Sequence, residues 1–312
     1  MNKAGGQIDP GTLTLLASIA DAGSLSAAAR AMRITQPALT KQLARVERQM
    51  GVSLFVRSIR GMEPTRYGQS LLPRARVVQA QLSQASEDIA QLRGLREGRV
   101  CIALSHLATV ALLPGVLPHF RSRWPGVVMR ILPPAFPHRF GGLREGAPDF
   151  AVEQLPGEPL GSEFSVRVLA TTHVVAIVRE GHSLARATTL EQLAGAEWVM
   201  PNADSATAHA LSAAFVRARL PLPASSINCE TLTGVEAIVR ATDLVGAMPA
   251  EVFDARPTHQ DLVKLPLSVA LPGNSLALVR WADAKPTPAA HELAELFVAQ
   301  AQSQARERRR RR

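Results

Sequence analysis

The sequence has few of the features that mark secreted, metal-binding or membrane proteins. Its 312 residues include only two cysteines, Cys101 and Cys229, which lie far apart and form no CxxC pair. A disulfide scaffold or a structural zinc site is therefore not expected. No apolar run approaches the roughly 18 residues that a membrane-spanning helix needs. Because no apolar core follows Lys3, we predict a cytoplasmic chain without a secretory signal.

Catalytic motifs are also missing. The sequence has no GxSxG elbow, no P-loop, no GxGxxG after a predicted strand and no HExxH. Its eight histidines are scattered, without the i, i+2 or i, i+4 spacing of a metal site. We therefore predict no enzyme activity, no metal and no cofactor. The alternative is a cytoplasmic solute-binding or enzymatic α/β domain fused to a basic module, with an active site assembled from distant residues.

Positive charge is concentrated at the two ends of the chain. Residues 1–98 contain 13 lysines and arginines against 7 acidic residues, and residues 99–305 contain 16 against 18. Residues 306–312 are six arginines and one glutamate, which predicts a disordered tail. A basic N-terminal third on a near-neutral body is typical of a nucleic-acid-binding module joined to a domain with another task. Basic surface that only aids solubility is the alternative.

The N-terminal third has the pattern of a helix-turn-helix. Apolar residues at helical spacing are followed by Gly23, which ends the first helix, and by Ser24, which is placed to cap a short second one. Thr35 then caps a third helix, whose first turn contains Pro37. Two short helices joined by a tight turn predict a helix-turn-helix over residues 25–44.

The residue types in this module suit contacts with double-stranded DNA. Gln36 at the start of the third helix can read the edge of an adenine, and Ala38 can touch a thymine methyl group. Hydroxyl and cationic side chains suit phosphate contacts, and arginines after Gly51 fall on a predicted β-wing. The domain is predicted over residues 10–67. Its predicted DNA-binding residues are Ser24, Thr35, Gln36, Pro37, Ala38, Thr40, Lys41, Arg45, Arg57 and Arg60.

Residues 68–97 are predicted to form a long linker helix with a coiled-coil seam. Apolar residues there alternate at spacings of four and three, the rhythm of a helix that pairs along one narrow stripe. The seam residues are Leu71, Ala75, Val78, Leu82, Ala85, Ile89 and Leu92. Pro73, near the start, is expected to kink the helix slightly. We predict dimerisation along this seam; packing against the first three helices is the alternative.

From residue 98 to residue 305 the pattern changes to short apolar strands that alternate with helices. This alternation predicts parallel sheets covered by helices. Two α/β subdomains fit about 200 residues with ten strands better than one sheet does. Ligands of such folds bind where the carboxyl ends of strands lead into helix N-termini.

The run from Gly23 to Gly68 resembles the DNA-binding domain of the LysR-type transcriptional regulators. The similarity rests on residues at matching spacings, namely Gly23, Ser24, Ala28, Ala29, Gln36, Pro37, Ala38, Gln42, Leu43, Glu47, Gly51, Leu54, Phe55, Arg57, Thr65 and Gly68. Thr40 stands where serine is usual in the family, so the operator sequence stays open. The resemblance implies a homodimer that assembles into a homotetramer, with operator DNA and RNA polymerase as partners. It also implies a nucleoid-associated activator of a neighbouring operon that represses its own gene.

The resemblance extends more loosely over LPGVLPHFRSRWPGVVMRI, LREGAPDFAV and ATDLVGAMP. It implies a multidomain α/β architecture: a winged helix-turn-helix, a long linker helix and a periplasmic-binding-protein-like effector domain over residues 98–305. That domain would comprise two Rossmann-like subdomains, the first from about 98–170 and 272–305 and the second from about 171–271. Hinges are expected at Ala170–Thr172 and Ala270–Ser275.

The cleft between the two subdomains is the implied binding place of a small-molecule effector, an organic acid. Carried over to this chain, its effector-binding residues are Ser105, His106, Leu107, Thr109, Phe136, Asn202, Ser205, Thr207 and Thr231. Hydroxyls and backbone N–H groups at opposed helix N-termini can hold a carboxylate or sulfonate. His106 adds a charge-assisted donor or is a surface or capping residue. The stretches EDIAQLRGLREGRV and CETLTGVEAIVRATDLVGAMP resemble the family's regulators that respond to aromatic sulfonates and carboxylates.

Overall fold

The computed structural model describes residues 8–59, 61–133, 140–144, 148–155, 160–255 and 261–311. The chain forms two compact units: the first contains the N-terminal residues up to Gly94, and the second contains Leu95–Leu143 and the chain from Pro148 onward. Among the residues described, every helix is too short or too polar to span a membrane.

Three capped helices open the first unit. They are α1 (Pro10–Ala22), α2 (Leu25–Ala31) and α3 (Gln36–Met50). The hydroxyls of Ser24 and Thr35 accept hydrogen bonds from the backbone N–H groups of Ala27 and Ala38, at 3.2 and 3.4 Å. Gly23 ends α1 with a φ of 65°, a conformation that glycine adopts without strain. The predicted end of the first helix at Gly23 and both predicted N-caps are therefore confirmed.

A β-hairpin and a long helix complete the first unit. The elements are β1 (Phe55–Ser58), β2 (Gly61–Pro64) and α4 (Arg66–Leu92), and the two strands pair antiparallel. Glu47 on α3 fixes the start of the hairpin, because its Oε1 accepts the backbone N–H groups of Leu54 and Phe55 at 2.6 and 3.1 Å. A Cβ at Gly61 would lie 2.3 Å from the carbonyl oxygen of Gly23. The hairpin thus packs directly on the turn between α1 and α2.

The seam of α4 divides into a packed half and an exposed half. Ala75 is fully buried and Leu71 is half-buried, and both belong to the part of α4 that packs against α1. Leu82, Ile89 and Leu92 are 49, 62 and 79 % exposed. The alternative of packing against the first three helices therefore applies to the N-terminal half of the seam, while dimerisation along the exposed half stays a prediction. Pro73 lies within α4, which runs through it as one helix.

The second unit contains ten strands and six helices within the described residues. The strands are β3 (Glu97–Leu104), β4 (Gly126–Leu132), β5 (Phe150–Leu155), β6 (Phe164–Thr172), β7 (Val174–Arg179), β8 (Glu197–Met200), β9 (Ala224–Asn228), β10 (Gly246–Pro249), β11 (Leu262–Lys264) and β12 (Asn274–Trp281). The helices are α5 (Leu113–Arg123), α6 (Gly141–Arg144), α7 (Ala206–Arg217), α8 (Leu232–Ala241), α9 (Ala250–Ala255) and α10 (Pro288–Arg311). A π-helical turn over Ala108–Leu112 leads into α5. A 3₁₀ turn covers Glu191–Leu193.

These elements form two subdomains, each with its own sheet and core. The first has the strand order β4-β3-β5-β12-β6, and the second has β10-β7-β11 with the pair β8-β9 beside it. The prediction of parallel sheets is correct only in part. Strands β3, β4 and β5 are parallel, but β12 runs antiparallel to both β5 and β6. The reason is that β12 carries the chain back from the second subdomain and so runs opposite to β5.

The C-terminal end of the chain also departs from its prediction. Residues 306–312 were expected to be a disordered tail, whereas α10 continues to Arg311. Leu293, Phe297 and Ala301 anchor the helix in the core of the first subdomain. Arginine has a high helix propensity, and cations stabilise a helix C-terminus, so the last turns extend the anchored part.

Candidate DNA-binding surface and effector cleft

Helix α3 presents one apolar and one polar face. Leu39, Leu43 and Val46 are buried in the core of the first unit. The opposite face is exposed and consists of Gln36, Pro37, Ala38, Thr40, Lys41, Gln42 and Arg45. Thr40 uses its hydroxyl locally, since it donates to the carbonyl of Gln36 at 2.9 Å. A protruding helix with polar and cationic side chains at its N-terminal end has the form that reads a DNA major groove.

The other predicted DNA-binding residues occupy different positions. Ser24 is half-buried and serves as the N-cap of α2, while Thr35 is exposed and caps α3. Arg57 is exposed on β1 of the hairpin. Arg60 lies outside the described residues.

Sequence reasoning missed two exposed cations beside these residues. Arg30 lies in the last turn of α2, and Arg33 lies in the turn before α3 with a φ of 54°. Their positions add positive charge next to the N-terminal end of α3. Neither residue is part of the apolar repeat of a helix or acts as an N-cap, so the apolar pattern of the sequence could not identify them.

The predicted effector residues of the first subdomain lie at the end of β3. Ser105 is buried, and its hydroxyl accepts the backbone N–H of Ala108 at 3.2 Å. Its carbonyl accepts both the backbone N–H and the hydroxyl of Thr109, each at 3.0 Å. Leu107 is buried, and His106 is half-buried. The segment thus leads into the π-helical turn, and the Ser105 hydroxyl binds the first residue of that turn. Phe136 falls outside the described residues.

The predicted residues of the second subdomain also cap helices. Ser205 accepts the N–H of Ala208 at 3.1 Å at the start of α7, and Thr231 accepts the N–H of Gly234 at 3.2 Å at the start of α8. Thr207 is buried in the first turn of α7, and Asn202 is exposed in the loop before it. An N-cap hydroxyl accepts one bond and keeps its own hydrogen as a donor. Each helix start therefore offers donors to an anion.

Hydrogen bonds at the two crossing segments connect these loops. The chain passes between the subdomains after Thr172 and again before Asn274, within the two predicted hinges. The Thr172 hydroxyl donates to the carbonyl of Asn274 at 3.0 Å and accepts from Gln154 Nε2 at 3.2 Å. Asn274 Nδ2 in turn donates to the carbonyl of Ala206 at the start of α7, at 3.0 Å.

Strand β5 places the first-subdomain loop close to this network. The backbone N–H of Ser105 donates to the carbonyl of Val152 at 2.9 Å. Gln154 follows two residues later on the same strand, about 7 Å away at 3.3 Å per residue. The hydrogen bonds of Ser105 and of the start of α7 therefore lead to nearby positions on β5 and on its neighbour β12. This proximity depends on the antiparallel pairing of β5 with β12, which sequence reasoning did not predict.

The two cysteines do not form a reactive pair. Burial raises the pKa of the Cys101 thiol, and the nearby Asp149 carboxylate raises it further. Asp149 Oδ2 accepts the backbone N–H of Cys101 at 2.8 Å. A thiol with a raised pKa stays protonated at neutral pH and is a poor nucleophile. Both cysteines are free thiols in the structure.

Comparison with known proteins agrees with this organisation. Residues 11–69 match a family model described as the bacterial regulatory helix-turn-helix protein of the lysR family, and residues 93–302 match the LysR substrate binding domain. The chain is 25% identical over 246 residues to the HTH-type transcriptional regulator GbpR of Rhizobium radiobacter, covering 78% of this chain and 82% of that protein. It is 26% identical over 267 residues to the HTH-type transcriptional regulator GalR of Pseudomonas putida, covering 85% and 67%.

Solved structures share the fold. Full-length CbnR complexed with its target DNA superposes with a TM-score of 0.70 at 20% identity, covering 94% of this chain and all of that one. The family and these relatives are transcriptional regulators and not enzymes. With both of its units matched in order, the chain belongs to the LysR family of transcriptional regulators.

Proposed function

We propose that this regulator binds operator DNA through the polar face of α3, supported by the β1–β2 wing. The observation that carries the proposal is the exposed strip of Gln36, Ala38 and Lys41 opposite a buried apolar face. Glutamine can pair with adenine in the major groove, and lysine suits phosphate. The net positive charge of residues 1–98 favours approach to DNA and makes binding strongly dependent on salt.

The exposed half of the α4 seam is the proposed dimer contact. Leu82, Ile89 and Leu92 are large apolar side chains on one face of a long helix. A partner helix would remove them from water and place two α3 helices on one DNA face, spaced for two half-sites. Association of two such dimers gives the proposed homotetramer.

The proposed effector is a small organic anion, an aromatic or aliphatic carboxylate or sulfonate, held between the subdomains. Ser105, Ser205 and Thr231 each begin a helix and keep a hydroxyl hydrogen for an anion. The second unit is slightly acidic over residues 99–305, so anion binding would depend on these local donors.

Closure around the effector would move the subdomains about the Thr172 and Asn274 crossings. Effector binding can shift this equilibrium only by its differential affinity for the two states. In the tetramer, the movement of the subdomains would change the bend of the bound DNA. The altered bend would in turn affect RNA polymerase. Activation or repression of target genes would follow from that bend.

Two measurements test the proposal. Mobility-shift titration against the divergent promoter beside the gene should give a sequence-selective complex; equal affinity for unrelated DNA would contradict it. Thermal-shift assays with benzoate, benzenesulfonate and succinate, with benzamide as the neutral control, test the effector class. An acid at 100 times its Kd stabilises by about 2.7 kcal/mol.

The effector site is tested by Ser105→Leu and Thr207→Leu. Both should abolish the acid response while operator binding is retained, since the DNA-binding residues belong to the other unit. An undiminished acid response in both variants would contradict the assigned cleft.

A further inference from the structure

A cavity of about 670 Å³ lies beside the first crossing segment, apart from most of the predicted effector residues. Of the predicted effector residues that the structure describes, Leu107 alone also lines this cavity. The cavity is within the size range of small-molecule sites, about 300 to 1,000 Å³. The π-helical turn, the end of β6 and the last third of α10 form its first-subdomain side; α9 and Lys264 of β11 form its second-subdomain side.

The first-subdomain side of the cavity is apolar. Its wall consists of Leu107, Ala111, Leu112, Leu169, Leu276 and Ala301. Ala111 and Ala301 are small residues on two helical segments that meet here, so the space between them stays open. An apolar wall of this kind gains free energy by covering the apolar body of a ligand, at roughly 25 cal/mol per Å².

The π-helical turn gives this wall an unusual backbone. A π turn interrupts the regular i to i+4 ladder and leaves carbonyl groups to be satisfied from outside the helix. The side-chain amide of Gln304 on α10 donates to the carbonyl of Ala111. Turns of this type occur frequently at functional sites. The Ser105 hydroxyl accepts the N–H of Ala108, the first residue of this turn, so one continuous segment contributes to both the cavity and the proposed effector cleft.

The second-subdomain side of the cavity is acidic. Glu251 and Asp254, three residues apart, lie on one face of α9. Glu251 is buried; its Oε2 accepts the backbone N–H of His173 at 3.4 Å and its Oε1 lies 3.6 Å from His173 Nδ1. Asp254 lies 3.0 Å from Lys264 Nζ. Among the described residues of this wall, two carboxylates stand against one ammonium, a formal charge of −1 when the histidine is counted as neutral.

We propose that the cavity is a second ligand site, for a small molecule with an apolar body and one primary amino group. The apolar body lies against the π turn and α10, and the ammonium donates to the carboxylates of Glu251 and Asp254. Charge-assisted bonds of this type are shorter and stronger than neutral ones. An organic acid in the same place would meet the net negative wall, so this site and the proposed effector cleft select opposite charges.

Occupancy of this site bears on the relative position of the two subdomains. The ligand touches the π turn of the first subdomain and α9, which follows β10 of the second subdomain and buries Val252 in the first-subdomain core. The cavity also adjoins the crossing at Thr172. A bound ligand therefore stabilises the arrangement of the subdomains in which the two walls are as far apart as in this structure. Any coupling to effector binding is reciprocal, so an amine that changes the Kd of the acid has its own Kd changed by the same factor.

Isothermal titration of the full chain with 2-phenylethylamine and hexylamine tests the proposal. The matched neutral and acidic probes are 2-phenylethanol and 3-phenylpropanoate. The amines should bind at least tenfold more tightly than the alcohol. Glu251→Gln, which keeps the shape of the side chain, should raise the Kd of the amines at least tenfold. Ala111→Leu, which fills the cavity from the apolar wall, provides a second variant with the same expected result.

The matched control is Thr207→Leu, which alters the proposed anion cleft and should leave amine binding unchanged. If no acid bound, the proposed effector class would be contradicted, whereas the result of the amine titration would be unaffected. Absence of amine binding to the parent protein overturns the second site. Amine binding that is equally strong in Glu251→Gln and Ala111→Leu overturns it as well.

Discussion

The hydroxyl of Thr172 donates to the backbone carbonyl of Asn274 at 3.0 Å and so joins the two segments on which the chain crosses between the subdomains. Both residues are buried. A Cβ at Gly273 would lie 2.6 Å from the carbonyl of Thr172, so the two crossing strands approach as closely as the backbone permits. The hinge is therefore a hydrogen-bonded pair of strands, which resists independent movement of either crossing.

Replacing Thr172 by valine should weaken this pair. The change keeps the side-chain shape but leaves the carbonyl of Asn274 and the amide of Gln154 without their buried partner, at a cost of about 1 to 3 kcal/mol. Urea denaturation of the purified protein measures this loss. Thr171→Val is the control, since Thr171 is exposed, and it should leave the free energy of unfolding within about 0.5 kcal/mol. Equal stability of both variants would show that the pair does not hold the crossing.

The polar face of α3 predicts different effects for two neighbouring substitutions. Gln36→Ala should relax operator preference, because a base contact worth about 1 to 3 kcal/mol is lost. Lys41→Ala should weaken binding to all DNA alike and lower the slope of log K against log salt by about one. Competition mobility shifts at several salt concentrations distinguish the two. Wild-type affinity and specificity in both variants would exclude α3 as the reading helix.

Glu47 is expected to hold the wing in place. Glu47→Gln weakens its bonds to the backbone N–H groups of Leu54 and Phe55, since bonds to a charged acceptor contribute more than neutral ones. The free energy of unfolding of the first unit should fall by about 1 kcal/mol or more, together with operator affinity. Gln49→Ala, an exposed change on the same helix, is the control. Hydrogen exchange of the Leu54 and Phe55 amides gives the local readout, and unchanged protection would argue against this role.

The exposed half of the α4 seam predicts the association state. Ile89→Asp places a charge on the proposed dimer contact and should shift the protein toward monomer at micromolar concentration. The folded state should be little affected, because Ile89 is 62 % exposed within the chain. Ile89→Leu keeps an apolar side chain and is the control. Sedimentation velocity measures the mass; an unchanged oligomer in Ile89→Asp would place the contact elsewhere.

Local patterns in the sequence were sufficient for the first unit. Ser24 and Thr35 were predicted as caps and lie at the starts of α2 and α3, because capping depends on residues only three positions apart. The apolar period of α3 likewise identified Leu39, Leu43 and Val46 as its buried face. The residue pattern also predicted the wing and two α/β subdomains, and the resemblance to a family added the bounds of the subdomains and the cleft between them.

The seam of α4 shows where a local pattern stops being informative. Ala75 and Ile89 follow the same four-and-three spacing, yet Ala75 is buried against α1 and Ile89 is exposed. The spacing predicts that one face of the helix is apolar. It does not predict which element that face packs against. Which half of the seam packs within the chain depends on where α1 lies.

The second unit depended more heavily on tertiary structure. Each strand was recognisable from its apolar residues, but the direction of β12 and its place between β5 and β6 required pairings over more than 100 residues. Those pairings bring Thr172 to Asn274, and the pairing of β10 with β7 positions α9 and Glu251 at the cavity. No spacing in the sequence records either arrangement. The sequence by itself determined the helices, their caps and the apolar faces, because these depend on neighbours within one or two turns. Only the tertiary structure decided the hinge bonds and the acidic cavity, because both are formed by side chains that long-range strand pairing brings together.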